Sequence, residues 1–187
     1  MRWAALYARS RQLPAAFGAL LVATCGVWFL GRDSWNTMLV ALALTTAVAV
    51  AAIGLSGQDP DLDRTAALPW PARRFAHLAL IAIGAGVVVL GVQELGSSAV
   101  AASIIVRDAA GLAGLAGLAA TIAGGQFGWT LPLAWSAVSP FVPHDESAPS
   151  RVLTWLLQPA QTPAATWTAV ILAVTGAAVY TTWGGRR

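Results

Sequence analysis

The chain has 187 residues, of which 57% are hydrophobic and only 10% are charged, and its mean hydropathy is +0.68. Because soluble domains carry about 25% charged residues, this composition excludes a soluble globular enzyme, a disordered chain and a nucleic-acid-binding domain. The formal net charge is +3, and all eleven basic residues are arginines. Without lysine there is no phosphate-binding P-loop, so we expect any nucleotide hydrolysis on another chain. One cysteine and two histidines argue against a metal site.

The apolar residues fall into six segments, each close to the roughly 20 residues that a transmembrane helix requires. They predict an all-α, polytopic integral membrane protein with a single transmembrane domain over residues 1–187. The predicted spans are residues 14–31, 35–56, 75–93, 99–124, 127–142 and 163–183. The fifth span is interrupted by Pro132 and Pro140, and only a weak boundary at Gly124 and Gly125 separates it from the fourth.

Arginine placement predicts the orientation of these spans, because positive residues concentrate in cytoplasmic segments. With the amino terminus inside, only Arg32, Arg107 and Arg151 lie outside, and the other eight arginines lie inside. The inverse topology would reverse this ratio. We therefore expect a multi-pass protein whose amino and carboxyl termini are both cytoplasmic.

Residues 1–13 have an amphipathic pattern. Trp3, Leu6 and Tyr7 fall on one helical face, and Arg9 falls on another. This pattern predicts an interfacial helix that lies along the membrane surface ahead of the first span. The alternative is a positively charged start that only fixes the topology.

Residues 57–74 form the one sizeable loop predicted on the cytoplasmic side. An acidic start can cap a short helix, and two prolines end it before a basic exit. This combination suits docking on a soluble partner, and the alternative is an ordinary solvated loop whose arginines fix the topology. The residues assigned to docking are Asp61, Leu62, Asp63, Arg64, Leu68, Pro69, Arg73 and Arg74.

Arg107 and Asp108 stand near the start of the fourth predicted span. They are either at the membrane boundary, where a long side chain reaches toward water, or buried and functional; we favour the boundary. Adjacent residues on a helix do not face each other, so Glu94, at the end of the third span, is a candidate partner for Arg107. The three residues together form a candidate polar gate.

Two further patterns concern packing. Residues 111–119 contain a three-residue repeat, and small residues recur every four positions along Ala109, Ala113, Gly117 and Thr121. Such faces predict close helix contact, within the chain or between protomers. Residues 143–162 are predicted to form an outer segment whose apolar run, 152–157, is too short to cross and is typical of a re-entrant or interfacial element.

This layout resembles the ABC-2 (type V) family of ABC transporter permeases. The shared features are six spans with both termini inside, an amphipathic lead-in helix, a cytoplasmic loop after span two and a short re-entrant element before the last span. Residues 62–74 (LDRTAALPWPARR) look like that family's stretch between spans two and three. Residues 107–112 (RDAAGL) and 129–132 (WTLP) look like those of small actinobacterial permeases.

The resemblance implies the permease subunit of an ATP-driven exporter in a bacterial plasma membrane. Two permease subunits, as a homodimer or a heterodimer, would form the substrate pathway within membrane lipid. Separate ABC ATPase subunits would bind ATP and Mg and would push on a coupling helix within residues 61–74. The chain itself would be no enzyme: the resemblance implies no catalytic, cofactor-binding or metal-binding residue, and no nucleic-acid partner.

Three other functions compete with this interpretation. The main alternative is an accessory membrane protein that scaffolds a larger complex without transporting anything. An intramembrane enzyme would require acids or histidines within the spans, and the second and sixth spans contain none. A secondary transporter often has inverted repeats, and the sequence gives no convincing sign of one.

Overall fold

The computed structural model of the protein describes residues 26, 29, 34–55, 70–96, 98–143, 145 and 147–185. All regular secondary structure within these ranges is helical, which confirms the all-α class. The α-helices are α1 (Thr37–Ala52), α2 (Trp70–Gln93), α3 (Ala102–Ala123), α4 (Thr130–Val138), α5 (Ala148–Leu153) and α6 (Pro163–Trp183). Short 3-10 turns at Ile53–Leu55, Gly125–Phe127, Ser139–Phe141 and Trp155–Leu157 extend or connect them.

Four of the described helices are long and apolar enough to cross a membrane: α1 with its 3-10 extension to Leu55, α2, α3 and α6. Their lengths of 19 to 24 residues correspond to roughly 29–36 Å, which matches a hydrocarbon core of about 30 Å. They coincide with the predicted spans 35–56, 75–93, 99–124 and 163–183. These helices are compatible with a membrane protein.

Two predictions fall largely outside the described residues. The interfacial helix over 1–13 lies outside them entirely, and the first span is described only at Gly26 and Phe29, both helical. The start of α2 differs from its predicted position. The helix begins at Trp70, because proline is tolerated in the first turn of a helix, so that Arg73 and Arg74 are helical residues and not part of the loop.

The predicted fifth span, 127–142, contains an α-helix of only nine residues, α4. By length α4 is not one of the four candidate spans. Its early end has a local cause, because Pro140 has no N–H to donate to the carbonyl of Ser136. The chain tightens there into the 3-10 turn Ser139–Phe141.

With its flanking turns, this helical run extends along the whole of α1. Gly128 packs against Ala52 and Leu55, near the carboxyl end of α1. Pro140 and Met38 line the same small cavity of about 10 Å³ near its amino end. We use these contacts to name the two ends of the helical bundle, the Leu55 end and the Trp35 end.

The Leu55 end brings together the end of α1, the start of α2 and the end of α6. The Tyr180 hydroxyl donates to the Leu55 carbonyl over 3.4 Å, and Nη1 of Arg74 donates to the Thr181 carbonyl over 3.3 Å. The last carbonyls of a helix carry partial negative charge, which the Arg74 guanidinium complements. The residues that follow the 57–69 stretch and the carboxyl end of α6 therefore lie on the same side of the bundle.

The Trp35 end is closed by hydrogen bonds between neighbouring loops. The amide of Trp35 donates to the Ser98 hydroxyl over 2.9 Å. The side chain of Gln93, the last residue of α2, exchanges two hydrogen bonds of 3.2 Å with the backbone of Val100. These bonds fix the short turn that reverses the chain from α2 into α3.

The central helix is α3, which packs against α1, α2, α4 and α6. In its most apolar stretch 72% of the residues are buried, against 28% in both α2 and α6. Its closest contact is with α6. A methyl group built on Gly114 would overlap the backbone of Leu172 and Ala173, and one built on Gly176 would overlap the backbone of Gly114. The two helices therefore cross backbone against backbone.

This crossing lies within the chain and falls on Gly114 and Gly117 of the predicted three-residue repeat, of which Gly117 also belongs to the four-residue row of small residues. Ala109 belongs to that row, and it lies beside Gly86 of α2. Gly117, also in the row, borders the crossing with α6, which is centred on Gly114 and Gly176. Small residues thus serve two faces of α3, one toward α2 and one toward α6.

Gly114→Ala is expected to force α3 and α6 apart, because the added methyl group has no space. Overpacking typically costs about 1–3 kcal/mol, which denaturant unfolding of the detergent-solubilised protein measures. Gly91→Ala in α2 is the matched control, since a Cβ at that position meets nothing within 4 Å. Equal unfolding midpoints for the two variants would contradict the crossing.

Candidate functional site

Residues 143–162 connect α4 to α6 at the Trp35 end and contain α5 and the 3-10 turn Trp155–Leu157. We call them the connecting segment. Ser147 begins α5, and its hydroxyl accepts a hydrogen bond from the Ser150 amide over 3.4 Å. The hydroxyl and the amide of Ser147 both donate to the Asp145 carboxylate and hold the pKa of Asp145 below its ordinary value. The segment therefore starts with defined local hydrogen bonding.

The turn Trp155–Leu157 is inserted between the long helices. Trp155 and Leu156 have no exposed surface, and neither does Thr154 just before them. The Trp155 ring lies directly on Gly111 of α3, where a methyl group would overlap it. Gly111 is nine residues from the start of α3, so the ring lies about 14 Å along the helix axis from the amino-terminal end of α3. The connecting segment thus folds back into the bundle.

Arg107 of α3 holds this turn by its backbone. Its Nη1 donates to the carbonyl of Pro159 over 3.1 Å, and its Nη2 donates to the carbonyls of Trp155 and Gln158 over 3.1 and 3.0 Å. Its Nε donates to Oδ1 of Asp108 over 2.7 Å. We call the contact between Arg107 and the three carbonyls the carbonyl clamp.

The carbonyl clamp supplies hydrogen-bond donors to the backbone carbonyls at the end of a short helical insert. The last carbonyls of a helical run lack the α-helical partner that a continuing helix would supply; here the Trp155 and Pro159 carbonyls each accept one backbone amide, over 3.4 and 3.2 Å, and have room for a second donor. Inside an apolar bundle water does not replace that partner, and each unsatisfied group is costly. A guanidinium suits the task because it carries five N–H donors in a planar fork. Arg107 therefore makes an irregular backbone stable among the helices.

The charge of Arg107 is balanced locally. The side chains of Arg107 and Asp108 are 6% and 0% exposed, and they form an ion pair. The other carboxylate oxygen of Asp108, Oδ2, is buried without a hydrogen-bond partner. The pair therefore places nearly cancelling charges at the base of the connecting segment.

A second set of contacts reaches the segment from α4. Nε1 of Trp135 and the hydroxyl of Ser139 donate to the carbonyl of Leu153 over 3.0 and 2.9 Å. In turn, α4 is tied to α1 by a buried hydrogen bond of 2.5 Å between the hydroxyls of Ser136 and Thr45. Hydroxyl pairs of this kind join helices in apolar surroundings. The connecting segment is thus anchored on two sides.

The predicted polar gate is only partly assembled. Arg107 and Asp108 are paired, although neighbours on a helix do not face each other, because the long arginine side chain turns back to reach the carboxylate. The expectation that Arg107 reaches toward water is wrong, since its side chain is buried. Glu94 is exposed in the turn after α2 and is not among the hydrogen-bond partners of Arg107.

Of the predicted docking residues, the structure describes Arg73 and Arg74. The guanidinium of Arg73 lies over the Trp70 ring, 5.6 Å from its centroid, and Arg74 contacts the end of α6 as described above. The remaining docking residues and the residues of the interfacial helix lie outside the described part of the chain: Asp61, Leu62, Asp63, Arg64, Leu68, Pro69, Trp3, Leu6, Tyr7 and Arg9.

Sequence reasoning missed the row that forms the site. Arg107, Gly111 and Gly114 follow each other at spacings of four and three, so they share one face of α3. On this face Arg107 provides guanidinium donors, Gly111 leaves space for the Trp155 ring, and Gly114 lets the backbone of α6 approach. An arginine one turn ahead of a glycine row is the signal that could have revealed it. Within the described ranges, no cluster of histidine, cysteine and acidic residues could hold a metal ion.

Comparison of the chain with protein-family models, with curated proteins and with solved structures finds no match.

Arg107→Gln is expected to release the connecting segment, because three carbonyls each lose a hydrogen bond from the guanidinium and Asp108 loses its counter-charge. Breaking a buried pair costs about 3–5 kcal/mol, so amides of residues 154–162 should exchange hydrogen roughly a hundredfold faster or more. Hydrogen–deuterium exchange with mass spectrometry measures this change.

Arg73→Gln is the control for that experiment, since it removes an exposed arginine at the opposite end of the bundle. Asp108→Asn is the milder variant, because it keeps an acceptor for Nε of Arg107 and leaves the three carbonyl contacts in place. Unchanged exchange in residues 154–162 of the Arg107→Gln protein would contradict the carbonyl clamp.

Proposed function

We propose that the chain is the membrane-spanning permease subunit of an ATP-driven exporter, of the kind that the ABC-2 family represents. In this proposal six helices span a bacterial plasma membrane, residues 1–13 form an interfacial helix, and both termini are cytoplasmic. The connecting segment is the observation that carries the proposal. A short insert packed into the bundle before the last long helix is the feature by which the layout resembles that family.

Two contacts support the proposed topology. The helical run through α4 extends from the Leu55 end to the Trp35 end, as a fifth crossing requires. The hydrogen bond from Arg74 to the Thr181 carbonyl keeps the start of α2 beside the end of α6. This proximity agrees with a cytoplasmic location for both the 57–69 stretch and the carboxyl terminus.

The same contacts suggest how motion is transmitted. Partner ATPases bind ATP and Mg and move the loop that leads into α2. Since Arg73 and Arg74 already belong to α2, displacement of the loop acts directly on a continuous helix. Arg74 passes it to α6, whose backbone packs against α3 at Gly114. The pathway then changes between two arrangements of helices, formed by this chain and a second permease subunit.

The proposal is tested by the interaction with an ATPase. Leu62→Glu combined with Leu68→Glu places two charges on the apolar face of the predicted coupling helix. We expect at least a tenfold loss of the P-loop ATPase that copurifies with the wild-type protein from its native host, measured by quantitative mass spectrometry. The matched control is Leu95→Glu, because Leu95 is 71% exposed at the Trp35 end.

Two results would count against the proposal. If the double variant retains the ATPase at the wild-type level, the docking role of residues 61–74 is wrong. If the wild-type protein copurifies with no nucleotide-hydrolysing subunit but with other membrane proteins, the accessory scaffold is the better assignment. Labelling a cysteine at position 64 from each side of the membrane tests the orientation separately.

A further inference from the structure

An apolar groove of about 350 Å³ runs between α1 and α2. Ala47 and Ala51 contribute from α1, and α2 contributes a row that includes His77, Ile81, Gly84 and Val88. The groove volume lies within the range of about 300–1,000 Å³ that is typical of ligand pockets. None of the contacts described for the connecting segment or for the crossing of α3 and α6 involves these residues.

The length of the groove matches one leaflet of a bilayer. His77 and Val88 are eleven residues apart on α2, which corresponds to about 17 Å. Half of the hydrocarbon core is roughly 15 Å. His77 marks the Leu55 end of the groove, since its ring borders Gly54, and Val88 lies five residues, or about 8 Å, before the end of α2. A chain entering at His77 would extend along α2 for about the depth of one leaflet.

The groove is too small to enclose a whole helix. A helix is about 10 Å wide, so a 17 Å length of it occupies roughly 1,300 Å³. That is several times the volume of the groove. Among the described residues, a Cβ built on Gly84 would meet nothing within 4 Å, so the groove is open at this glycine. The shape suits one flexible acyl chain.

Positive charge is present where a headgroup would lie. Arg73 precedes His77 by four residues, so both occupy the same face of α2. Arg73 is exposed, and its guanidinium is held over the Trp70 ring at 5.6 Å. Tryptophan and arginine at the end of an apolar helix are typical of the headgroup region, where arginine attracts anionic lipids.

We propose that this groove binds one acyl chain of an anionic glycerophospholipid, with the negatively charged headgroup beside Arg73. The proposal is independent of the transport function and requires only that the protein lies in a bilayer. It assigns the Trp70–Val88 face of α2 to a specific lipid and not to general solvation by the membrane.

The test uses the full-length protein in nanodiscs that contain phosphatidylglycerol or phosphatidylcholine with a photoreactive acyl chain. We expect adducts of phosphatidylglycerol on peptides that contain residues 47–51 and 80–88. Arg73→Gln should weaken phosphatidylglycerol binding about fivefold and leave phosphatidylcholine labelling unchanged. Gly84→Leu fills the groove and should reduce labelling by both lipids at least fivefold.

Gly91→Leu is the matched control, because Gly91 is also on α2, also has open space around it and does not line the groove. Adducts spread evenly over the exposed helices would overturn the proposal, as would equal labelling of the Gly84→Leu and Gly91→Leu proteins. An equal effect of Arg73→Gln on the two lipids would overturn the headgroup assignment. Complete disulfide formation between Cys25 and a cysteine at position 84 would mean that the chain fills its own groove.

Adduct mapping on the wild-type protein needs no variant, so the proposal stays testable if Gly84→Leu fails to fold. Loss of ATPase copurification in the loop variants leaves this result unaffected, which keeps the two proposals distinguishable.

Discussion

One arginine donates hydrogen bonds to three backbone carbonyls near the end of a short helical insert. Trp155 is buried, Gln158 is partly buried and Pro159 is exposed, and Arg107 donates to the carbonyls of all three. The carbonyls of Trp155 and Pro159 also accept from the amides of Gln158 and Thr162. The same face of α3 then receives the Trp155 ring at Gly111 and the backbone of α6 at Gly114. The connecting segment and the helix after it are therefore placed by three residues spaced four and three apart. Without the guanidinium, the Trp155 and Pro159 carbonyls would keep only their amide donors and the partly buried Gln158 carbonyl would lose the donor that Arg107 supplies, a loss that is costly away from water.

The neighbouring Asp108 carboxylate lowers the free-energy cost of burying the Arg107 charge. An isolated buried guanidinium would carry a large desolvation penalty, whereas the pair with Asp108 is nearly neutral. Further support comes from α4, whose Trp135 and Ser139 hold the Leu153 carbonyl. The insert is thus held at four carbonyls by side chains from two helices. Several side-chain hydrogen bonds of this kind are typical of irregular backbone that is buried inside a helical bundle.

Helix positions could be predicted from the sequence, because they depend on the local pattern of apolar residues and prolines. The extents of α1, α3 and α6 and the end of α2 follow from the length of the apolar runs, and Pro140 accounts for the short α4. What the sequence could not predict are contacts between distant positions. Arg107 meets carbonyls 48 to 52 residues away, and no periodicity encodes that distance. The expected partner Glu94 is nearer in sequence, yet it lies exposed in the turn after α2, while the backbone of the insert occupies the guanidinium.

The crossing of α3 and α6 has a mechanical consequence. Where two backbones touch at glycines, few side chains interlock as ridges in grooves, so the angle between the helices can change about that point with little steric cost. Gly176 lies 13 residues from the start of α6 and 7 from its end, or roughly 20 Å and 10 Å. A small tilt applied beside Thr181 would therefore swing the opposite end of α6 about twice as far, against the clamped segment.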